Sequence, residues 1–487
     1  MRRITIIALS LLVTALAAGS LRAARDSIKS DQYFPELQGD EDMRVIESKK
    51  NMLSSGISYG VWITPTFMYQ ETPQSTLTSL TTTFRVWFKT YLWDNSFLYV
   101  RGKDTYTWII SDTGAENYSD TNVLDLDIGY MAMASKRREV DFSAGRKYFV
   151  LGSGLVLDGR GDGAEFNFYS KYISIMALGC WTGWLAKDDN PYGLSDRDIS
   201  TGAKRVFAGG KLSTTWFNQT LYLFGLAQFD FGREYYNKKR MLTAAVAGNE
   251  TYFQYYGQRS RYESQYYGAG LEGVIASGLS YAGEFIMERG KSYLSGYTIR
   301  KDILAYAGQF RLDYYIDVVL KPVLQAQYAF GSGDNNRKDY RAPNGNEWAK
   351  DRGFLYFGTF VGGYALKPLL SNLHVISGSL SFSPFSWSSI FQLKNMTFTA
   401  KYIYYLKYKT WAPINYGLDA TRPDRHVGQG VDVALRWLLF SDFSLFCNYG
   451  WFKPGKAFGY YYDFVQNLTY SSRSERHFVM AGCNISF

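Results

Sequence analysis

The sequence has 487 residues, of which 46% are apolar and 18% aromatic, with 41 tyrosines and 33 phenylalanines. The formal net charge of +9 comes without a block of lysine and arginine, which excludes a typical nucleic-acid-binding domain. The mean hydropathy of -0.22 excludes a bundle of membrane-spanning helices. Because tyrosine combines an apolar ring with a polar end, this composition is typical of a chain that meets a membrane–water interface.

The N-terminus has the pattern of an export signal. Two arginines near the start precede an apolar run over residues 4–18, which is followed by small residues. We therefore predict a signal peptide over residues 1–23, cleaved after Ala17 or Ala23. The run is short for a membrane-spanning helix, and a retained membrane anchor is the alternative.

The remainder of the chain divides at about residue 57. Polar and charged residues fill positions 24–56, which we predict to form a flexible periplasmic lead-in; a small plug or a partner contact is the alternative. Over residues 57–487 the chain repeats segments of roughly 10–14 residues in which apolar and polar side chains alternate. This period of two predicts strands throughout residues 57–487.

The alternation separates apolar from charged side chains. Phe84, Val86 and Phe88 share one face of a predicted strand, whereas Arg85 and Lys89 share the other. Three further segments repeat this arrangement: Leu98 and Val100 oppose Arg101 and Lys103; Leu124, Leu126 and Ile128 oppose Asp125 and Asp127; Val431, Val433 and Leu435 oppose Asp432 and Arg436. One face suits lipid and the other suits water, which predicts a transmembrane barrel with a wet interior rather than a soluble sandwich.

The lengths of the links predict the number of strands. Eight short links alternate with nine long ones, so we expect an all-β transmembrane barrel of 18 antiparallel strands. Residues 354–365 are assigned to the long loop 332–370, because an additional strand there would break the alternation. Residues 71–79 form another predicted long link. The loops 149–163 and 332–370 carry charged and glycine-rich segments, and we expect both to fold into the lumen.

The C-terminal segment ends on Phe487 after alternating residues from His477 onward. A terminal strand with a final aromatic residue resembles the signal that the bacterial barrel-insertion machinery reads. This end of the chain therefore predicts the outer membrane as the location, its lipids as the surroundings and the insertion machinery as a partner.

Four segments carry a family resemblance: Gly145-Arg146-Lys147 with the loop from Leu151 to Gly163, Tyr281 to Glu284 with Arg289-Gly290, Tyr328 to Asn335, and Gly430 to Val433 with Phe452 to Gly455. Together they resemble the alginate-export family of outer-membrane barrels. In the first segment Lys147 replaces the family's usual glutamine. The segments occur in order over residues 140–487, and the resemblance implies a monomeric 18-stranded barrel with a pore for anionic polysaccharide that is lined by basic residues.

The candidate pore-lining residues follow from the polar faces and from the first family segment. They are Arg85, Lys89, Arg101, Lys103, Arg146, Asp158, Arg160, Asp162 and Arg436. Arg146 and Arg160 lie on the family segment, and each could bind a uronate carboxylate through two parallel hydrogen bonds. The alternative is that they pair with Asp158 and Asp162 and hold an inward-folded loop.

Acidic residues share the polar faces with the basic ones. Among them are Asp125, Asp127, Asp141, Glu165, Glu272, Glu284, Glu288 and Asp432. A mixed lining is usual for a general small-solute porin, which is therefore an alternative to polysaccharide transport. A non-conducting surface protein or adhesin, with loops that fill the lumen, is a third class.

No pattern in the sequence indicates enzyme chemistry. The three histidines, His374, His426 and His477, lie far apart near predicted strand ends, and no spacing places a serine or aspartate beside them. The loop pair Asp188 and Asp189 could suggest calcium, but loop carboxylates are more often solvated or salt-bridged. We therefore expect a protein that is not an enzyme and that uses no cofactor, metal or nucleic acid.

Overall fold

The computed structural model describes residues 57–72, 75–114, 119–137, 139–194, 196–232, 261–293, 300–337, 350–414, 423–463, 468–471 and 474–487. The predicted signal peptide, residues 1–23, and the predicted lead-in, residues 24–56, lie outside these ranges. The described residues include two short helices, α1 (Asp196–Thr201) and α2 (Phe391–Lys394), and a 3₁₀ turn at Lys187–Asp189. None of the described helices is long and apolar enough to cross a membrane.

Eighteen strands of the described chain close into one antiparallel barrel, which confirms the predicted count. The first nine are β1 (Ile57–Glu71), β2 (Thr76–Trp93), β3 (Ser96–Asp112), β4 (Thr121–Ala134), β5 (Val140–Leu151), β6 (Leu157–Tyr169), β7 (Ile173–Trp181), β8 (Arg205–Trp216) and β9 (Gln219–Asp230). The next nine are β10 (Arg261–Ala276), β11 (Leu279–Tyr293), β12 (Arg300–Tyr315), β13 (Val323–Gly331), β14 (Leu373–Phe382), β15 (Met396–Lys407), β16 (His426–Phe440), β17 (Phe443–Pro454) and β20 (Arg476–Ser486). A separate hairpin consists of β18 (Tyr460–Asp463) and β19 (Leu468–Ser471).

The barrel closes between its first and last strands. β1 pairs with β2 on one side and with β20 on the other. The N–H of Phe487 donates to the carbonyl of Val61 at 2.9 Å, and the N–H of Val61 donates to the carbonyl of Phe487 at 3.2 Å. A closed sheet leaves no strand edge in lipid, where an unpaired backbone group would find no water. Recognition of Phe487 by the insertion machinery stays a prediction.

The barrel wall has an apolar outer face and a charged inner face. On β2, Phe84 and Val86 are exposed on the outer face, as the alternation predicts. Arg85 and Lys89 on the same strand are buried on the inner face. The outer face therefore meets lipid with apolar side chains, and the charges point into the lumen.

One position departs from the predicted alternation. Ile128 was expected to share the outer face with Leu126, but Ile128 is buried whereas Leu126 is exposed. In the pairing of β3 with β4, Gly102 lies opposite Leu126, and Arg101 lies opposite Ile128. Asp127 between them has no opposite residue, which is a β-bulge. The bulge shifts the alternation by one residue, so both Asp127 and Ile128 lie on the inner side.

The prediction of a long link over residues 71–79 is wrong. β1 continues through Glu71 and β2 begins at Thr76, so the link covers residues 72–75. β-Branched side chains suit a pleated strand, and the threonine-rich start of β2 extends the ladder as far as the pair between Glu71 and Thr76. By contrast, residues 354–365 lie within the link between β13 and β14, as predicted.

The outer half of the β5–β6 hairpin leaves the barrel wall. β5 pairs with β4 as far as Arg146, and β6 pairs with β7 from Asp162 onward, but beyond these points the two strands pair with each other alone. We call residues 147–161 the inward hairpin. Its Ser153 N–H donates to the carboxylate of Glu284 on β11 at 2.8 Å, so the hairpin reaches across the lumen.

The inward direction predicted for residues 149–163 is therefore confirmed, but the prediction that they form a loop is wrong. Only residues 152–156 link the two strands. The high glycine content reflects close packing rather than a loop, because a Cβ on Gly161 would lie 3.0 Å from the Cβ of Cys180.

The described part of the link between β13 and β14, residues 332–337 and 350–372, also enters the lumen, and we call it the crossing loop. Its Phe357 forms a bridge with Leu157 of the inward hairpin. The N–H of Tyr364 donates to Asp432 on β16 at 3.1 Å. A segment that begins and ends on neighbouring strands can reach both β6 and β16 only through the interior, which confirms the predicted inward fold.

The core of the molecule consequently lies inside the barrel. The rings of Tyr192 and Phe207 have centroids 5.3 Å apart, and those of Phe207 and Phe357 are 5.2 Å apart. These residues come from the link between β7 and β8, from β8 and from the crossing loop, so aromatic packing joins the inward segments to the wall.

The closest packing between the two inward segments involves Gly358. A Cβ at this position would lie 2.5 Å from the carbonyl oxygen of Leu155 in the inward hairpin. We expect Gly358→Ala to separate the crossing loop from the inward hairpin and to accelerate amide hydrogen exchange over residues 350–372 by roughly tenfold. The matched control is Gly102→Ala, because a Cβ at Gly102 would have no atom within 4 Å. Unchanged exchange in Gly358→Ala would contradict the described packing.

Candidate functional site

A network of ion pairs covers the inner face of β2 to β6, and we call it the charged wall. Its basic members are Arg85, Arg101, Lys103, Arg146 and Arg160, and its acidic members are Asp125, Asp127, Asp162 and Asp189. The wall brings together six of the nine residues that the sequence predicts as pore-lining.

Asp127 is the centre of the charged wall. Its fully buried carboxylate accepts a hydrogen bond from Arg101 Nε at 2.6 Å and one from Arg160 Nη1 at 3.0 Å. Arg85 Nε lies 3.7 Å away. The β-bulge places this carboxylate among three guanidinium groups, where the positive charges offset the cost of burying it.

Arg146 ties the base of the inward hairpin to the wall. Its Nε and Nη2 donate to the two oxygens of Asp162 at 2.8 and 3.0 Å, in the bidentate geometry of a strong ion pair. Nη1 donates to Asp125 at 3.2 Å and to the carbonyl of Leu126 at 3.0 Å, on the stretch of β4 that no longer pairs with β5. Nη2 also reaches the carbonyl of Trp184 at 2.8 Å. Arg146 thus takes the place of backbone pairing where the hairpin leaves the wall.

Arg160 and Lys103 share a carboxylate that comes from a loop. Arg160 Nη1 donates to Asp125 at 2.9 Å, and its Nη2 donates to Asp189. Lys103 Nζ also donates to Asp189, which lies in the 3₁₀ turn of the link between β7 and β8. The side chain of Asp189 is 26% exposed, whereas that of Asp127 is 0% exposed. Asp189 is therefore the wall carboxylate that water and solutes reach most easily.

The link between β7 and β8 also holds the inward hairpin in place through Tyr192. The hydroxyl of Tyr192 donates to the carbonyl of Arg160 at 2.8 Å. Burial raises the pKa of this phenol well above its ordinary value, and the nearby Cys180 and Asp158 raise it further. The hydroxyl therefore keeps its proton and remains a donor over the physiological pH range.

The alternative that the two arginines hold an inward-folded segment is confirmed in part. Arg146 pairs with Asp162 as that alternative expects. The described ion pairs of Arg160, by contrast, join it to Asp125, Asp127 and Asp189, which this alternative does not name.

The remaining predicted residues lie outside the described ion pairs of the wall. Asp158 lies on the inward hairpin, two residues before Arg160. Lys89 lies on the inner face of β2 with its ammonium 4.3 Å from the centroid of the Phe97 ring. Arg436 lies half-buried on β16, which is separated from β2 of the charged wall by β17, β20 and β1.

Sequence reasoning did not place Asp189 in this site. Asp189 and Lys103 are 86 residues apart in the chain, and no spacing pattern joins them. The sequence offers one indication of its role, namely that loop carboxylates are often salt-bridged, and Asp189 is salt-bridged. Its neighbour Asp188 is 63% exposed and lies 3.9 Å from the equally exposed Lys187.

Two glutamates on β11 hold the inward segments on the opposite side of the lumen. Glu284 accepts from Ser153 Oγ at 2.5 Å and from the hydroxyl of Tyr222 at 2.9 Å. Glu288 accepts from the N–H of Leu355 in the crossing loop at 3.0 Å and from the hydroxyl of Tyr262. These residues of the inner face therefore anchor the inward hairpin and the crossing loop.

A closed barrel of 18 strands with an apolar outer face defines an outer-membrane β-barrel that crosses the membrane many times through its strands. Residues 226–467 match the family model described as Alginate export, which confirms the resemblance predicted from the sequence. The family segments that begin at Tyr281, Tyr328 and Gly430 lie within the matched range, and the segment over residues 145–163 lies outside it.

Solved structures show the same fold. OccAB1 of Acinetobacter baumannii is 10% identical with a TM-score of 0.53, and the match covers 88% of this chain and 96% of that one. OpdL of Pseudomonas aeruginosa is also 10% identical with a TM-score of 0.53, covering 89% and 99%. OccAB4 of Acinetobacter baumannii is 9% identical with a TM-score of 0.53, covering 90% and 99%. No curated protein matches the sequence.

The central carboxylate of the charged wall should contribute to the stability of the folded barrel. Asp127→Ala should leave Arg101 and Arg160 without their central carboxylate and should destabilise the folded barrel by about 3 kcal/mol or more. Asp127→Asn should cost less, because the amide oxygen still accepts hydrogen bonds. Urea unfolding from detergent micelles measures the difference. Asp188→Ala, at an acid that is 63% exposed and lies 3.9 Å from Lys187, is the control and should change little. Equal stability of Asp127→Ala and the wild type would contradict this account.

Proposed function

We propose that the protein is an outer-membrane pore that passes a hydrophilic, anionic solute of the oligosaccharide or polysaccharide class by passive diffusion. The observation that carries the proposal is the charged wall, in which five basic side chains face four carboxylates. Passage of a solute along this wall needs no cofactor and no covalent chemistry, so the proposed pore acts without catalysis. The barrel would act as a monomer.

Asp189 shows how the wall could take a solute carboxylate. It bridges Lys103 and Arg160 from a loop, and it is more exposed than the other carboxylates of the described network. A uronate carboxylate has the same charge and geometry, so it could replace Asp189 between the same two cations. The wall thus supports a solute that carries carboxylates along a chain.

The match of residues 226–467 to the family described as Alginate export supports a saccharide as the solute class. Since the basic excess within the wall is small, we expect only a modest preference for anions.

A non-conducting barrel is the second candidate, because two inward segments occupy the lumen. Phe149 in the inward hairpin and Phe354 in the crossing loop are completely buried, so these segments pack tightly inside the barrel. In this case the protein would serve as a surface protein or adhesin rather than a pore.

Single-channel recording in planar lipid bilayers tests the proposal. We expect discrete openings that a linear hexauronate blocks reversibly, and weaker block by a neutral hexasaccharide of the same length. Openings without any difference between the two sugars would support a general small-solute porin. An absence of openings would contradict the pore and support the non-conducting barrel.

Removal of the loop carboxylate should strengthen solute binding. In Asp189→Asn, Lys103 and Arg160 lose a negative neighbour, and the dissociation constant for hexauronate block should fall by roughly three- to fivefold. The gain should shrink at high salt, where charges are screened. Asp188→Asn is the matched control, since its exposed carboxylate neighbours Lys187 outside the wall. Weaker or unchanged block in Asp189→Asn would contradict the assignment of this site to the solute pathway.

A further inference from the structure

A row of aromatic rings follows the inner face of the first four strands, next to the charged wall. We call Trp62 on β1, Trp87 on β2, Tyr99 on β3 and Tyr130 on β4 the aromatic row. Successive ring centroids lie 5.8 Å, 6.2 Å and 5.9 Å apart. The row is therefore continuous across four strands of the barrel wall.

A basic residue stands directly across the strand pair from each of the first three rings. Trp62 pairs in register with Arg85, Trp87 pairs with Arg101, and Tyr99 pairs with Lys89, so rings and cations alternate over this part of the wall. The guanidinium carbon of Arg101 also lies 5.7 Å from the centroid of the Trp62 ring.

The fourth ring has a cation beside it as well. The ammonium of Lys147, at the base of the inward hairpin, lies 5.9 Å from the centroid of Tyr130. The cations therefore follow the row along its whole length.

Glycines allow close packing against two residues of the row. A Cβ on Gly60 would lie 2.6 Å from the indole nitrogen of Trp87, so a larger residue would displace this ring. Gly145 adopts a φ of +131°, and a Cβ there would lie 2.7 Å from the Cα of Tyr130. Side chains of Trp62, Trp87 and Tyr130 are only half-buried, so their surfaces remain accessible, whereas Tyr99 is buried and packs between Trp87 and Tyr130.

The row extends from the charged wall toward the periplasm. Trp62 and Trp87 lie level with Arg85 and Arg101 of the wall, whereas Tyr99 lies nearer the short turn at residues 94–95, and short turns face the periplasm in such barrels. Asp125 and Asp162, by contrast, lie beyond Asp127 toward the outer ends of the strands. A solute that enters from the periplasm would meet the Tyr130 end of the row before it meets these carboxylates.

We propose that the aromatic row is a stacking subsite for the sugar rings of a saccharide, an assignment that rests on the proposed pore function. The apolar C–H faces of a pyranose ring pack against aromatic rings, and its edges carry hydroxyl and carboxylate groups that accept hydrogen bonds from cations. The half-buried rings of Trp62, Trp87 and Tyr130 match the first feature, and the half-buried ammonium of Lys147 beside Tyr130 matches the second. Because the rings hold the sugar face rather than its charge, the subsite binds neutral and anionic saccharides alike.

Substitution of the two tryptophans tests the subsite. Trp62→Leu and Trp87→Leu should each shorten the residence time of maltohexaose and of a linear hexauronate in the pore by roughly three- to tenfold, at low and at high salt. Trp87→Phe should restore most of the lost residence time. The matched control is Phe88→Leu, which removes an aromatic ring from the lipid-facing side of the same strand. Heat-dependent migration in gels verifies that each variant is folded.

Calorimetric titration of the detergent-solubilised protein with maltohexaose separates this inference from the pore function. Weaker binding in Trp62→Leu and Trp87→Leu supports the subsite even if bilayers show no openings, a result that would contradict only the pore. Unchanged residence time and unchanged binding in both variants, with openings still present, would overturn the subsite alone. The subsite would also be overturned if Trp62→Leu and Trp87→Leu lost the binding of benzoate but kept the binding of maltohexaose, because the row would then select aromatic acids.

Discussion

Backbone hydrogen bonding in lipid is the constraint on which the structure depends. No water reaches the hydrocarbon layer, so each N–H and C=O of the wall must pair within the protein, and the sheet must close. Eighteen strands enclose a space that is too wide for the side chains of the wall to fill. The inward hairpin and the crossing loop occupy this space, and both are pinned to β11 through Glu284 and Glu288.

The inward hairpin interrupts backbone pairing in the wall, and buried charged side chains replace the lost pairing. Where β5 separates from β4, Arg146 donates to the carbonyl of Leu126 and to the carboxylates of Asp125 and Asp162. Asp127, displaced by the bulge, collects Arg101 and Arg160 around one carboxylate. The same side chains therefore maintain the wall and, in the proposed pore, would supply the charges along the path of the solute, which links the stability of the fold to the proposed selectivity.

Much of this architecture could be predicted from the sequence because it depends on local periodicity. Alternating Phe84, Arg85 and Val86 define the two faces of β2, and the links define the number of strands. The apolar pattern predicts the wrong face for Ile128 because a one-residue bulge leaves no mark in that pattern. It predicts a loop for the inward hairpin because the glycines that allow close packing there also resemble loop composition. The pairing of Lys103 with Asp189 depends on how distant segments fold into one lumen, and no local pattern contains that information.

The central claim is that the basic members of the charged wall set the selectivity of an open pore. The reversal potential of the wild-type protein under a potassium chloride gradient tests this claim most directly. We predict a modest preference for chloride that weakens as the salt concentration rises, because the Debye length falls from about 10 Å at 0.1 M to about 3 Å at 1 M. A pore that clearly prefers potassium would contradict the account.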